Sequence, residues 1–359
     1  MSPTAAVTGI ALATPLGGSL DATWEALLAG RTAFTETAAT DGLYPGTVRA
    51  AAGALADDLP DVPAFGRRRL RALSRESLLV SRAGMLAWQD AGFESGTTPY
   101  PEETAVVLGT AAGGLSGYLQ VMRDGLILGP ELVSPYAGPQ GSLNAAASDL
   151  SIAAGAQGSI VTVTAGRCSG AHALTVAADY VRTGQAQAVL VAAVDVLDPL
   201  RLAAGRADAP PGEAAVVFVV EDTARARARG ARVHAEIAGL STLRGGADGG
   251  SAAAPAIAAA LAEAGTRAGD LSLVCSSAAG NPPVPGGTGA GTAVYSPFDA
   301  LGDCAGATVL LQVALAARSL AEGRIPSTAG GPRDVGSRPA LVLTTDEDGQ
   351  AAAVVVRRL

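Results

Sequence analysis

The 359-residue sequence contains no lysine, so its 25 Lys+Arg side chains are all arginine. Because an arginine guanidinium stays protonated, the chain has no amine that could act as a base or form a Schiff base. Histidine is nearly as scarce, with only His172 and His234. The three cysteines, Cys168, Cys275 and Cys304, have neither metal-site spacing nor the pattern of a disulfide framework. We therefore expect no metal, and any two-histidine site would need both histidines.

The sequence also lacks long hydrophobic runs and an excess of positive charge. No stretch approaches the roughly 18 to 20 apolar residues of a membrane helix, and the N-terminus lacks the features of a signal peptide. These absences predict a cytoplasmic protein without a membrane partner. The formal net charge of −8 argues against nucleic acid as a partner.

What the chain does have is a high content of small and apolar residues, which favours a tightly packed α/β fold. Hydrophobic residues make up 48% of the sequence, and there are 46 glycines. Short β-branched stretches alternate with helical stretches up to about residue 222, and the pattern then begins again. We predict two similar α/β halves, residues 1–225 and 226–359.

One segment, Val161 to Leu174, has the sequence VTVTAGRCSGAHAL, which indicates a strand, a tight turn and the start of a helix. It resembles the nucleophile segment of condensing enzymes of the thiolase superfamily, V-x-T-A-C-S-S-G-x-x-A-L. Alignment on Ser169-Gly170 and Ala173-Leu174 places Arg167 where those enzymes have cysteine. The resemblance therefore implies a scaffold without its nucleophile.

Further segments resemble β-ketoacyl synthases in the same order along the chain. They are Ala6 to Gly17, Trp24 to Arg31, Val106 to Gly114, Gly212 to Glu221 and Ala224 to Gly230. The resemblance implies a thiolase-like fold, with two similar halves stacked in five layers as α-β-α-β-α.

The other catalytic groups of that family are two histidines and a lysine, and the resemblance implies that all are replaced. Ala279 lies at or next to the first histidine position, Phe298 replaces the lysine, and Asp303 replaces the second histidine. With Arg167, these are four degenerate positions. We expect no active site and no cofactor.

An alternative keeps the chain active. A one-residue slip in the alignment would make Cys168 the nucleophile of an unusual acyltransferase, with Arg167 and the helix start lowering the pKa of its thiol. Against this, the Gly-Ala-Leu spacing requires Cys168 to follow the nucleophile position, and no histidine is placed to take the proton. The other interpretation of Cys168 is a small buried residue.

The chain most resembles the chain-length factor, or ketosynthase β subunit, of type II polyketide synthases. The shared residues include Val163-Thr-Ala165, Gly170, Val194-Asp195 and Asp198-Pro199. The resemblance implies a non-catalytic subunit that forms a heterodimer with an active ketosynthase and receives a chain carried by an acyl carrier protein. That family has Gln where this chain has Arg167, which favours a partner of the highly reducing, polyene type.

In that family, side chains of the inactive subunit close the end of the polyketide tunnel. The matching segment here contains Leu115, Tyr118 and Met122, which recur at i, i+3 and i+7 on one face of a predicted helix. We predict that they line the tunnel. The alternative is an ordinary core stripe.

A run of arginines, Arg67, Arg68, Arg69 and Arg71, could contact an acidic acyl carrier protein. The alternative is that these arginines simply solvate a helix. A further alternative for the whole protein is a homodimeric scaffold that binds the carrier protein without chemistry.

The resemblance also places the nucleophile and second-histidine positions close together. We therefore predict that Arg167 and Asp303 form an ion pair in the vacated pocket, with Glu347 from the acidic segment Thr345 to Gln350 as a possible third member.

Overall fold

The computed structural model describes residues 4–38, 47–51, 61–94, 96–135, 137–198, 201–202, 210–245, 251–277, 282–326 and 332–359. Its strands are β1 Ala5–Ala13, β2 Phe34–Ala38, β3 Thr47–Ala51, β4 Thr104–Gly109, β5 Ile160–Val163, β6 Ala188–Asp195, β7 Ala214–Asp222, β8 Ala235–Arg244, β9 Leu273–Ser276, β10 Ala293–Tyr295, β11 Arg324–Ile325, β12 Arg333–Asp334, β13 Ala340–Thr345 and β14 Gln350–Arg357. Its α-helices are α1 Leu20–Leu28, α2 Arg67–Leu70, α3 Arg75–Asp90, α4 Leu115–Ile127, α5 Ala137–Gln140, α6 Ala145–Ala154, α7 Ser169–Arg182, α8 Thr223–Ala228, α9 Ala253–Glu263, α10 Phe298–Leu301 and α11 Thr308–Glu322.

Ten strands form a mixed sheet built from two equivalent sets of five. The strand order in the first set is β5-β4-β6-β7-β1, and in the second it is β10-β9-β13-β14-β8. Both sets pair parallel at their first three strands and antiparallel at the last two steps. The sets join where β1 pairs with β8 over three residues. The predicted repetition of an α/β unit is therefore visible in the topology.

Helices cover both faces of each set of strands. Helices α3 and α6 pack on the outside of the first set, and α9 packs on the outside of the second. Between the sets lie α7 and α11, which also contact each other. This is the predicted five-layer α-β-α-β-α arrangement, and it buries strands such as β4 and β6 completely. The predicted boundary between residues 225 and 226 falls within α8 and stays a prediction.

The start of α7 packs closely against the segment before α11 at Gly170. A Cβ atom there would lie 2.9 Å from the carbonyl oxygen of Gly306, just before α11. This contact brings the start of α7 next to the segment that leads into α11, which positions the candidate site. Within the described residues, no helix is both long and apolar enough to cross a membrane.

Candidate functional site

The turn between β5 and α7 carries Arg167. Gly166 adopts a φ of +52°, a conformation that favours glycine, and a side chain there would collide with the carboxylate of Asp346. Cys168 is the N-cap of α7, and the helix proper begins at Ser169. The hydroxyl of Ser169 accepts a hydrogen bond from the backbone N–H of Ala165 at 2.9 Å, which fixes the turn.

The predicted ion pair between Arg167 and Asp303 is present. The Nε and Nη2 atoms of Arg167 lie 2.8 and 2.7 Å from Oδ2 of Asp303. The other oxygen, Oδ1, accepts the backbone N–H of Ala305 at 2.9 Å. The two side chains are 18% and 19% exposed, so the pair is largely shielded from solvent. It links the turn before α7 in the first set of strands to the segment before α11 in the second.

The acidic segment between β13 and β14 adds a second carboxylate. Asp346 Oδ2 accepts the backbone N–H of Arg167 at 2.7 Å. Glu347 lies farther away, with Oε1 3.9 Å from Nη2 of Arg167, so it is an ion-pair neighbour but beyond hydrogen-bond distance. The second carboxylate in contact with Arg167 is therefore Asp346. The sequence prediction named the adjacent residue, Glu347.

These acids further stabilise the protonated form of Arg167. Burial lowers the pKa of its guanidinium, but the hydrogen bond and charge of Asp303, with the charges of Asp346 and Glu347, outweigh burial and raise that pKa above its ordinary value. The side chain is a permanent cation held by carboxylates. It cannot supply the base or nucleophile that an acyl transfer would require at this position.

The two other positions predicted to be degenerate are Phe298 and Ala279. The ring of Phe298, the first residue of α10, lies 6.0 Å from Cζ of Arg167. The structure thus brings together three of the four positions predicted to be degenerate: Arg167, Phe298 and Asp303. Ala279 lies outside the described residues.

Cys168 lacks the properties of a reactive cysteine. Its side chain is fully buried, and burial, with the charges of Asp346 and Asp348, raises the pKa of the thiol to about 12, although Arg167 opposes the shift. A nucleophilic cysteine needs the opposite shift. Of the two histidines in the chain, His234 is paired with Asp90 at 2.7 Å, which suits a structural residue. The burial of its thiol and the raised pKa therefore argue against the alternative of an active Cys168.

A buried carboxylate, Asp195, holds the loops around this pocket. It accepts hydrogen bonds from the hydroxyl of Thr110 and from the backbone N–H groups of Ala111, Ala112 and Gly306, at 2.8 to 3.0 Å. Burial raises the pKa of Asp195, while the charge of Arg201 and these hydrogen bonds oppose that rise. Asp195 ties the loop after β4 to the segment before α11. The sequence analysis included Asp195 in the Val194-Asp195 motif but did not predict that it holds these loops together.

The α4 helix presents an apolar face outward. Tyr118 is 53% exposed and Met122 is 46% exposed, while Leu115 is half-buried. No residue of α4 is buried, so the alternative that this stripe is ordinary core is wrong. The same face also carries Leu119 and Leu126, the latter 82% exposed, at i+4 and i+11 from Leu115. Helical spacing could have identified both, but the sequence prediction omitted them.

The opposite face of α4 explains this orientation. A Cβ atom on Gly117 would lie 3.2 Å from backbone atoms of Gln140 and Gly141, so the helix packs there through a glycine. Close backbone packing on this side directs the large apolar side chains away from the rest of the chain.

The predicted arginine cluster lines a cavity of about 1450 Å³ between α2 and α4. Its members differ. Arg69 pairs with Asp149 at 2.8 Å and lies over the ring of Phe65, so it is a structural residue. Arg67 and Arg71 are exposed, and no carboxylate of the described residues pairs with either. Arg68 is exposed as well.

Comparison with known proteins identifies the class of this scaffold. Residues 3–208, more than half of the chain, match the family model "Beta-ketoacyl synthase, N-terminal domain". The chain belongs to the β-ketoacyl synthase family.

A relative is the "Putative polyketide beta-ketoacyl synthase 1" of Streptomyces virginiae, 30% identical over 271 residues. The match covers 66% of this chain and 62% of that protein, so the chain spans about six-tenths of the length of this relative. Another relative is the "Tetracenomycin polyketide synthase ketoacyl synthase alpha subunit" of Streptomyces glaucescens, 28% identical over 308 residues, which cover 75% of this chain and 70% of that protein.

Two solved structures share the whole fold. The "ishigamide ketosynthase/chain length factor" matches with a TM-score of 0.82 at 18% identity, and each chain is covered completely. A type II polyketide synthase acyl-carrier protein in complex with its ketosynthase, AntDE:AntF, gives a TM-score of 0.81, also at 18% identity and with complete coverage of both chains. At this identity, the likeness establishes the fold.

Proposed function

We propose that this chain is the non-catalytic, chain-length-determining subunit of a type II polyketide synthase. The observation that carries the proposal is the state of the nucleophile position: Arg167 is paired with Asp303 inside a ketosynthase fold. Such a protein cannot form the acyl-enzyme of a condensing reaction. Its contribution must be structural, through what it binds and what shape it offers.

An apolar surface supports pairing with a second subunit. Leu119, Met122 and Leu126 are 41%, 46% and 82% exposed on α4. The edge strand β5 is also exposed at Ile160, by 44%. Contiguous exposed apolar side chains and a free strand edge are features of protein interfaces. Because this chain lacks the catalytic groups, the partner in the proposal is an intact ketosynthase.

The same face suggests how chain length is set. Once a partner covers α4, the side chains of Leu115, Tyr118 and Met122 would limit the space left for an acyl chain held on the partner. Apart from the Tyr118 hydroxyl, these side chains have no hydrogen-bond donor. Since a buried carbonyl needs a donor, this lining suits a reduced, polyene-type chain better than one with many ketones.

The exposed arginines suggest where a carrier protein would bind. The structure of AntDE:AntF includes a carrier protein, and in the proposal Arg67, Arg68 and Arg71 contact the acidic carrier here.

Co-expression tests the proposal. The chain should form a stoichiometric heterodimer with an intact ketosynthase from the same gene neighbourhood, and condensation should require both subunits. The isolated Arg167→Cys variant should remain inactive, since it lacks histidines to activate the thiol. The proposal would be contradicted by a stable homodimer that does not bind the ketosynthase, or by condensation with the isolated Arg167→Cys variant.

A further inference from the structure

The vacated pocket is filled by carboxylates of the same chain. Asp303 holds the guanidinium of Arg167, and Asp346 holds its backbone N–H at 2.7 Å. The second oxygen of Asp346 accepts the backbone N–H of Glu347, also at 2.7 Å, so both carboxylate oxygens are bonded. Carboxylates therefore bind Arg167 at two separate groups: Asp303 at the side-chain guanidinium and Asp346 at the backbone N–H.

The position of Asp346 is specific. The N–H that it accepts belongs to the turn immediately before α7, where the partial positive charge of the helix N-terminus favours an anion. The adjacent Gly166 leaves space for the carboxylate, because any side chain there would collide with Asp346 Oδ2. The carboxylate is also close enough to Cys168 to contribute to its raised pKa. Turn, helix and acidic segment are fitted to one another around this carboxylate.

We propose that Asp346 is a built-in anionic ligand that holds the vacated pocket closed. It occupies the position that a small carboxylate, or the polarised carbonyl of an acyl group, would need to reach the Arg167 N–H. The inference concerns this pocket alone and does not depend on pairing with a ketosynthase. It explains why an acyl group would be excluded from this subunit: the Arg167 N–H, which such a group would need as its donor, is already bonded to Asp346.

Removal of the side chain should create a site for an external carboxylate. The Asp346→Ala variant should unfold at a lower temperature than the wild type, and sodium acetate should raise its midpoint in a saturable way, whereas sodium chloride of equal ionic strength should not. The matched control is Asp348→Ala in the same acidic segment. Asp348 has its hydrogen bonds with Gln350 instead of the Arg167 N–H, and it affects the turn only through its charge, which contributes to the raised pKa of Cys168. Neither the wild type nor this control should show an acetate-specific gain. Equal acetate responses in all three proteins would overturn the proposal.

A second variant covers the case in which Asp346→Ala fails to fold. Asp346→Asn keeps the shape and one acceptor oxygen but removes the charge, so the bond to the Arg167 N–H should weaken. Hydrogen exchange of that amide should accelerate by about tenfold, as expected when a charge-assisted bond becomes a neutral one. The control Asp348→Asn should leave the exchange rate unchanged. Unchanged exchange in Asp346→Asn would also overturn the proposal.

Discussion

The pocket around Arg167 and the outer face of α4 are opposites within one chain. In the pocket, a cation, two carboxylates and backbone N–H groups satisfy one another at 2.7 to 2.9 Å, with the ion pair largely shielded from solvent. On α4, large apolar side chains remain exposed, and Leu126 reaches 82%. The polar groups of the first region are satisfied within the chain, whereas the second leaves apolar surface exposed that the proposed partner would cover.

This difference indicates which part of the ketosynthase scaffold still serves a function. An enzyme keeps its catalytic pocket open and polar for substrate, but here internal charges fill it. An isolated soluble domain rarely leaves a long apolar helix face uncovered. The proposed role rests on this contrast: in the proposal, the chain retains surfaces for binding and no longer performs the chemistry.

The largest expected effect concerns the thiol of Cys168. Because its pKa is raised from 9.0 to about 12, the thiolate fraction at pH 8 should be about 1000-fold below that of an ordinary cysteine. Iodoacetamide labelling of the native protein, followed by peptide mass spectrometry, measures this. The raised pKa also stabilises the folded state below pH 9, and that contribution should be lost as pH rises from 9 to 12. Rapid labelling of Cys168 at pH 8 would mean that the pocket is open and reactive.

The ion pair should show an asymmetric response to mutation. Asp303→Ala leaves the Arg167 cation without its main partner and should lower the free energy of unfolding by about 3 kcal/mol, the lower end for a broken buried pair, because Arg167 keeps some contact with solvent. Replacement of both residues, as Arg167→Met with Asp303→Leu, should be nearly neutral. Urea denaturation provides the values.

The control for this experiment is the exposed pair Arg267 and Asp270, which has a similar N–O distance of 2.7 Å. Asp270→Ala should have little effect, because solvent screens that pair. If Asp303→Ala and Asp270→Ala gave the same small change, the pair in the pocket would not hold the two halves of the fold together.

Substitution on the apolar face of α4 should lower the affinity of the chain for its ketosynthase partner. Leu126→Asp should weaken the heterodimer by at least about 30-fold, as for a central interface residue, without unfolding the chain, since this side chain is exposed. Analytical ultracentrifugation of the co-expressed subunits measures the affinity. Gln120→Asp on another face of α4 is the control and should preserve pairing. Normal pairing by Leu126→Asp would remove α4 from the interface.

The arginine cluster should give the smallest effect. Arg67→Ser with Arg71→Ser should weaken carrier-protein binding by about two- to fivefold, with less dependence on salt, because exposed charges contribute little individually. Arg69→Ser should instead lower stability, since Arg69 pairs with the buried Asp149. Calorimetric titration with the carrier protein at two salt concentrations distinguishes these outcomes. Unchanged binding by the double variant would leave Arg67 and Arg71 as solvating residues.

The sequence predicted some of these features because local patterns carry them. The strand, turn and helix around Arg167 followed from the V-T-A and G-x-x-A-L spacing, and the pair with Asp303 followed from the resemblance that aligned both positions. The two similar halves followed from the repeated α/β pattern, and the resemblance implied their stacking in five layers.

Other features depend on how distant segments meet. The prediction named Glu347 as the third member, but the direction of the acidic turn places Asp346 at the Arg167 N–H instead. The partner of Arg69 is 80 residues away, so no local pattern separated it from Arg67 and Arg71. Helical spacing identified the α4 stripe, yet the same spacing fits a core helix. Only the packing of Gly117 against the backbone at residues 140 and 141 shows which side faces outward.

The most direct test of the proposed role is the length of the product made by the reconstituted heterodimer. Tyr118→Ala should lengthen the chain by removing a wall, and Leu115→Phe and Met122→Phe should shorten it, while total synthesis continues. Gln120→Ala, on another face of α4, serves as the control and should leave the length unchanged. Mass spectrometry of the released acyl chains measures the distribution. Shifts in these directions would support a steric role for this subunit, whereas identical product lengths from all three heterodimers would contradict it.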